Sequence, residues 1–413
     1  MPVEVDRRDD QTIYRVTRRG RPLGLVAVDS TVGGRARGGL RLVPDATEAE
    51  IRGAARAMTL KYGFLGFPHG GAKAGVLGDG EAPLEVKRAA LAAFASEAAE
   101  LFHDEVYLPD ADLGTTAADI RAMLATIGMT APRHESRGES GLYTAVSVVA
   151  SARVLLAHDG HSLAGCRVAI EGFGSVGANV AVLLAEAGAR IVAVSTSGGA
   201  LHCPEGLDVA RLLELRARVG SRFVTAAEAG ALSLPREALL ELPVDLLSPC
   251  ARHDSISERN VERVQAKWIC AGANGPVSTA AELRLFERGV RVLPDFVTNC
   301  GGVLGGTLEF FGTDAARIRD HVDAHLTAVM APLLREADRR GVTVRAVAEP
   351  IALARHREAR ARSERPGAIA RALSSALACY RRGWLPRRAV APWAGWYLGR
   401  LGRLPASPGE SGG

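Results

Sequence analysis

Three glycines spaced G-x-G-x-x-G, Gly172, Gly174 and Gly177, constrain this chain more than any other feature. Alone, the spacing is a weak signal. Here it lies in RVAIEGFGSVGANVAVLLAEAGARIVAV, between two β-branched runs and at the start of an Ala/Leu-rich one. Strand, tight turn, helix and strand in that order make the fingerprint a dinucleotide site. The glycines let the backbone turn sharply and approach a ligand, and the helix N-terminus offers unpaired N–H groups to a pyrophosphate. Ser175 and Val176 sit in that first turn and join the glycines as candidate cofactor-binding residues. The second strand ends in Val194, Ser195, Thr196 and Ser197, with no acid to hold both ribose hydroxyls of NAD. Hydroxyls such as that of Thr196 could accommodate the phosphate of NADP, so the cofactor is NAD or NADP.

The rest of the chain is arranged around this unit. At 413 residues it is too long for one small core, and two domains are expected. From about Arg137, short β-branched runs (167–172, 190–196, 244–249, 267–272 and 290–295) alternate with helical stretches, which predicts a parallel sheet covered by helices. Upstream, Thr47 and Glu50 form a capping-box pattern before Ile51, Ala55, Met58 and Tyr62, which predicts a helix ending near Lys61. The Gly- and Pro-rich run 63–80 reads as a turn or loop, and 83–102 as another helix. After Gly312 the pattern is helical again, with Ile351, Leu373 and Leu377 among arginines. Trp384, Trp393 and Trp396 precede a tail, 405–413, with a disordered composition, and are expected to anchor it. No internal repeat is evident.

Composition excludes several classes. Hydrophobic residues make up 47% and mean hydropathy is +0.06, values that suit a packed globular protein. Neither a secretory signal nor an apolar run long enough for a bilayer is read from the sequence, so no membrane partner and a cytoplasmic location are expected. The six cysteines contain no Cys-x-x-Cys pair, which argues for buried reduced thiols and no metal. The net charge of +5 comes from residues 351–400, where eleven Arg oppose two Glu, leaving the first 350 residues at −4. Without interleaved aromatics or a zinc finger, that stretch reads as a solvated helix face or subunit contact, with no nucleic-acid partner.

Only four of the 51 basic residues are lysine: Lys61, Lys73, Lys87 and Lys267. Against that background a position that stays lysine stands out, because a buried lysine can shed its proton and arginine cannot. Lys61 and Lys73 could supply a fixed charge and a base, one neutralised by its neighbour. Asp112, in LPDADLGTT, follows a possible strand and suits proton shuttling. A cation for an α-carboxylate, a base for the ammonium and an activator of water are what oxidation of an amino acid requires.

GGLR (38–41), MTLK (58–61), GGAK (70–73), DLGTT (112–116), AGANGP (271–276) and PDFVTNCGGV (294–303) occur in that order. With the dinucleotide fingerprint they resemble the glutamate/leucine/phenylalanine/valine dehydrogenase family from about Gly38 to Phe311. The resemblance implies NAD(P)-dependent oxidative deamination of an L-amino acid to a 2-oxo acid and ammonia, and the reverse. It implies an α/β fold of two domains: an N-terminal α/β catalytic domain (1–136) and a Rossmann-like dinucleotide-binding domain (137–315). C-terminal helices (316–382) would return to the first domain, before an extension (383–413). It also implies a homo-oligomer. Lys61 would hold the α-carboxylate, Lys73 would be the catalytic lysine and Asp112 the proton-transfer carboxylate. Thr144 would lie by the nicotinamide, Asn274 near its ribose, and Asn299 would position substrate with the 301–302 turn, beside Gly39.

The side-chain pocket departs from the glutamate type. Arg37 stands where glutamate-using members carry a lysine, Gly306 where they carry a serine, and Asp110 where a small apolar residue is usual. Arg37 could pair with an acidic side chain; Asp110 would repel one unless Arg37 neutralises it, or would welcome a basic or polar one. GLYTAVSV around Thr144 is more similar to leucine- and valine-type members. Two other readings compete: a catalytically silent nucleotide-binding subunit, and a 2-hydroxy-acid dehydrogenase using His69.

Overall fold

Strand alternation at the amino end builds the first sheet. The computed structural model describes residues 3–129, 139–225 and 230–364, with 371–372, 375–376, 379–380, 384–385 and 389. β1 (Val3–Arg8), β2 (Gln11–Arg18) and β3 (Arg21–Val28) form an antiparallel meander. After β4 (Ala36–Val43), helix α1 (Glu48–Leu65) crosses over to β5 (Gly70–Leu77), parallel to β4. Helices α2 (Leu84–Glu97) and α3 (Ala99–His103) precede β6 (Tyr107–Ala111), followed by α4 (Ala117–Thr126). The strand order is β1-β2-β3-β5-β4-β6.

One face of this sheet is apolar. Val26, Leu40, Ala72, Ala74 and Val76 pack on Leu91, Phe94 and Met123 of the covering helices. The alternate residues face α1. The sequence reading of 63–80 as a loop is corrected here, since 70–77 form a central strand. Its glycines allow close packing and not a turn: a Cβ at Gly71 would collide with the Thr59 backbone, and one at Gly75 would sit 2.9 Å from Ile51 Cδ1. Helix α1 starts where predicted, with Thr47 Oγ1 accepting from Glu50 N–H at 3.3 Å. The Glu50 carboxylate, expected in a capping box, pairs with Arg41 instead.

The second unit begins with α5 (Ser140–His158) and continues through β7 (Arg167–Glu171), α6 (Ser175–Glu186), β8 (Arg190–Thr196), β9 (Gly199–His202), α7 (Val209–Val219), β10 (Leu232–Leu234), β11 (Leu246–Pro249) and β12 (Trp268–Cys270). α8 (Thr279–Glu287), β13 (Arg291–Leu293), α9 (Asp295–Thr298), α10 (Gly301–Phe311) and α11 (Ala315–Arg340) follow. Its sheet runs β10-β9-β8-β7-β11-β12-β13. The five predicted strands are parallel, and the antiparallel edge made by β9 and β10 was not legible in the pattern. β8 and β11 lie on either side of β7, so the loop after β7 is the topological switch point where α/β sheets bind ligands.

Chain contacts group Met1–Gly138 with Phe310–Gly312 and Glu349–Arg403, and Glu139–Glu309 with Thr313–Ala348 and Leu404–Gly413. The family resemblance implies a helical return from residue 316; by chain contacts, α11 groups with the second unit and the segment from Glu349 with the first. α11 stays with the second unit because it buries Ile318, Val322, Leu326 and Met330 as it packs on α5, with Asp323 accepting from Arg153 (2.8 Å) and Asp338 from Arg291 (2.7 Å) at the surface. The last helix, α12 (Val344–Glu364), then lays Ala352 and His356 over Gly63 of α1, where a Cβ would meet His356 Cβ at 3.1 Å. Leu373, Leu377, Trp393, Trp396 and 405–413 lie outside the described residues. Trp384 is 70% exposed.

Helix α5 is long and apolar. It is the one helix among the described residues long and apolar enough to cross a bilayer, and 78% of its apolar window is buried inside the unit. It is a core helix by position. All six cysteines are free; Cys166, Cys270 and Cys300 are buried and the others half-buried. No group of three or more metal-ligating side chains occurs among the described residues.

Candidate active site

Period-two alternation concentrates charge on the α1 face of the first sheet. On β4, Ala36, Leu40 and Leu42 join the apolar core, so Arg37, Gly39 and Arg41 point the other way. On β5, Ala72 and Ala74 are core and Lys73 between them faces α1. On β6, Tyr107 is core, and Asp110 comes to the Arg37 side.

Lys73 is 1% exposed and touches the Asp112 carboxylate directly. A Cβ at Gly39 would collide with that carboxylate, so glycine there makes room for Asp112. The aspartate is held by its own turn: its backbone N–H donates to Thr115 Oγ1 at 2.9 Å and its Oδ1 accepts from Leu113 N–H at 2.7 Å. Burial depresses the Lys73 amine well below the ordinary lysine range, and the positive charges of Arg41 and then Lys61 push it further. Lys61 is itself buried on α1. Thus the first unit brings Lys73 against Asp112 and within electrostatic reach of Lys61 and of Arg41. That residue lies in the quoted GGLR motif, yet among so many arginines only its strand spacing from Arg37 and Gly39 could have marked it.

Arg37 and Asp110 are brought together as a bidentate pair, Nε to Oδ2 at 2.7 Å and Nη2 to Oδ1 at 2.8 Å. The guanidinium fork is therefore spent on a carboxylate of the protein. His69 stacks edge-on against Tyr62 at 5.3 Å.

In the second unit, the glycine fingerprint forms the β7–α6 turn. Gly172 has a φ of +86°, in the left-handed region that favours glycine. A Cβ at Gly177 would collide with Gly172 O, which fixes how closely α6 approaches the strand. A Cβ at Gly174 would meet nothing within 4 Å. Gly174 also caps α6 without any side-chain hydrogen bond to its N–H groups. Free helix N–H groups beside open space fit the pyrophosphate of NAD or NADP. Ser175 lies against Gly141 of α5, and Val176 against Gly272.

Thr196 is the last residue of β8. Its hydroxyl donates to Ser221 O at 2.7 Å and accepts from Gly198 N–H at 3.1 Å, so it serves its own turn. Thr144 Oγ1 donates to Ser140 O at 2.8 Å and lies against Gly302. Asn299 brings the two downstream motifs together, donating to Ala273 O at 2.8 Å and Asn274 Oδ1 at 3.0 Å. It is 3% exposed, and its Oδ1 is buried without a hydrogen-bond partner, an acceptor available to a ligand donor. The AGANGP loop is pinned by Gly275 N–H to Asp295 Oδ2 at 2.8 Å, and Asp295 in turn accepts from Arg345.

Sequence reasoning missed Glu171, the last residue of β7. It is buried, accepts from Ser255 Oγ at 2.8 Å, and burial raises it from the usual carboxylate range to about 7.

A parallel sheet with a glycine-rich phosphate turn at its switch point, together with a buried lysine against an aspartate, defines the class of nicotinamide-nucleotide-dependent α/β dehydrogenases. Residues 138–363 match the Glutamate/Leucine/Phenylalanine/Valine dehydrogenase family, and 16–129 match the Glu/Leu/Phe/Val dehydrogenase dimerisation domain. The chain belongs to that family and is an NAD(P)-dependent amino-acid dehydrogenase. It is 31% identical to the NAD-specific glutamate dehydrogenase A of Halobacterium salinarum over 87% of this chain and 84% of that one. It is 33% identical to the NADP-specific glutamate dehydrogenase A1 of the same organism, over 71% of this chain and 74% of that one. It resembles the hetero-hexameric glutamate dehydrogenase of Thermus thermophilus, solved in a leucine-bound form, with a TM-score of 0.71 and 29% identity over 82% and 85% of the two chains.

Proposed function

We propose that this chain oxidatively deaminates an L-amino acid with an uncharged side chain, and runs the reverse reductive amination. The reaction consumes amino acid, NAD(P)+ and water and yields 2-oxo acid, ammonium, NAD(P)H and a proton. The observation that carries the reading is the Lys73 amine, buried beside Arg41 and Lys61 and in contact with Asp112. Lys61 binds the α-carboxylate. Asp112 takes the proton of the substrate ammonium and later returns one to the departing ammonia. Lys73, whose amine burial and the neighbouring cations push below the ordinary lysine range, takes a proton from the water that attacks the imine carbon. Gly172, Gly174, Ser175, Val176 and Gly177 hold the pyrophosphate, with Thr144, Thr196 and Asn274 toward the rest of the nucleotide. When bound, the nicotinamide accepts hydride from the substrate Cα. Asn299 and Gly39 complete the substrate-binding set.

The side-chain reading rests on Arg37. Its fork is already occupied by Asp110, so a γ-carboxylate would find a neutral pair with its own carboxylate nearby, and no free cation. Relatives named as glutamate dehydrogenases make glutamate the competing substrate. Family membership also supports an oligomer in the cytoplasm, of one kind of chain or two.

A panel of 2-oxo acids with ammonia, followed separately with NADH and NADPH, tests this. Leucine-, valine- or phenylalanine-type oxo acids are expected to outrun 2-oxoglutarate. Faster turnover of 2-oxoglutarate would overturn the side-chain reading alone, and inactivity with every acid would point to the silent subunit. Lys73→Arg should lower kcat by about 10²–10⁴, the usual contribution of a general base; retained activity would remove Lys73 from the mechanism.

A further inference from the structure

We propose that Arg41, clamped by Glu50, is a positioning residue that keeps the second proton off the Lys73–Asp112 pair. This rests on the assignment of Lys73 and Asp112 above. Arg41 is buried on β4, its Nη1 lies 2.5 Å from Glu50 Oε1, and its Nε faces Asp112 Oδ2 at 3.6 Å. That Nε is buried and makes no hydrogen bond, so its positive charge is directed at the pair and not shared with a neutral acceptor.

Lys73 and Asp112 touch, so their protons titrate as a pair. The pair can hold two protons as ammonium and acid, one shared between amine and carboxylate, or none. A cation beside Asp112 stabilises the carboxylate and opposes the ammonium. Both effects favour fewer protons, and among the charges facing Lys73 it is Arg41 that depresses the amine most, ahead of Lys61. Asp110 and Glu50 act the other way. Asp110 is largely answered by Arg37, to which it is bound twice. Glu50 is the opposing charge bound to Arg41 itself.

Arg41 and Glu50 therefore have opposite signs of effect on the same proton, and this separates an electrostatic role from a packing role. The measurement is the pH profile of kcat/KM for deamination, using whichever of L-leucine, L-valine, L-phenylalanine and L-glutamate is turned over fastest. Its acid limb reports protonation of the free enzyme's base. Arg41→Met should move that limb up by about 1–3 pH units, the range for a single neighbouring charge. Arg41→Lys, which keeps the charge, should restore it close to wild type. Glu50→Gln should move it down, by less, because Glu50 is partly exposed. If Arg41→Met and Glu50→Gln lower kcat/KM while the limb stays in place, or moves the same way in both, the proposal fails and Arg41 is only a packing residue. Should Lys73→Arg retain activity in the same assay, the base assignment is at fault instead.

Discussion

A carboxyl group at the buried end of a strand should be unstable as an ion, and Glu171 shows the consequence. Only Ser255 donates to it, its second oxygen has no hydrogen-bond partner, and it titrates at about 7. Since its value in the fold lies above its unfolded value of 4.5, its contribution to stability is fully present below about pH 4.5. It is lost as pH rises to about 7 and stays lost above. The gap corresponds to roughly 3 kcal/mol, as an order of magnitude. Glu171→Gln should therefore raise Tm at pH 8.5 and change it much less at pH 5, which differential scanning calorimetry at the two pH values would show. Equal changes at both would mean the carboxyl is not buried as an acid. Lys73 is the mirror case, an amine that burial and two neighbouring cations push below the ordinary lysine range.

At the scale of elements, glycine does two different jobs in this chain. On β5 it lets α1 lie against the strand, as Gly71 and Gly75 show. In the β7–α6 turn the two jobs divide between neighbours. Gly177 has no room for a methyl group, whereas Gly174 has nothing near it in the protein. Gly177→Ala is expected to lower both Tm and the affinity for NADH, because α6 must shift away from β7. Gly174→Ala should leave Tm close to wild type and weaken only dinucleotide binding, since the added methyl enters space that the phosphates would use. Thermal melts and fluorescence titration with NADH would tell the two apart; a Gly174→Ala protein with unchanged NADH affinity would locate the pyrophosphate elsewhere. Within α1, a local signal was legible in Thr47, but the Glu50 carboxylate was drawn to Arg41, because a buried guanidinium 2.5 Å away is a stronger partner than a backbone N–H.

For the whole molecule, sedimentation velocity of the chain expressed alone should give a multiple of its 43.4 kDa mass. A monomer under those conditions would favour assembly with a second kind of subunit. What the sequence alone determined was whatever depends on near neighbours along the chain. The strand–turn–helix around Gly172, the five parallel strands and the helix beginning at Thr47 all follow from local periodicity and capping. The six ordered motifs likewise identified the family and the residues worth testing. Only the tertiary structure decided which charges meet. Arg37 lies 73 positions from Asp110, and Lys73 lies 39 from Asp112. Their encounter depends on the pairing of β4 with β5 and β6, which no local pattern encodes. The same holds for the glycine run that became a central strand, and for α11, whose place was fixed by burying its apolar face against α5. Backbone preference is short-ranged, while burial and charge act through space, so chemistry built from buried charges becomes visible only when the strands are in register.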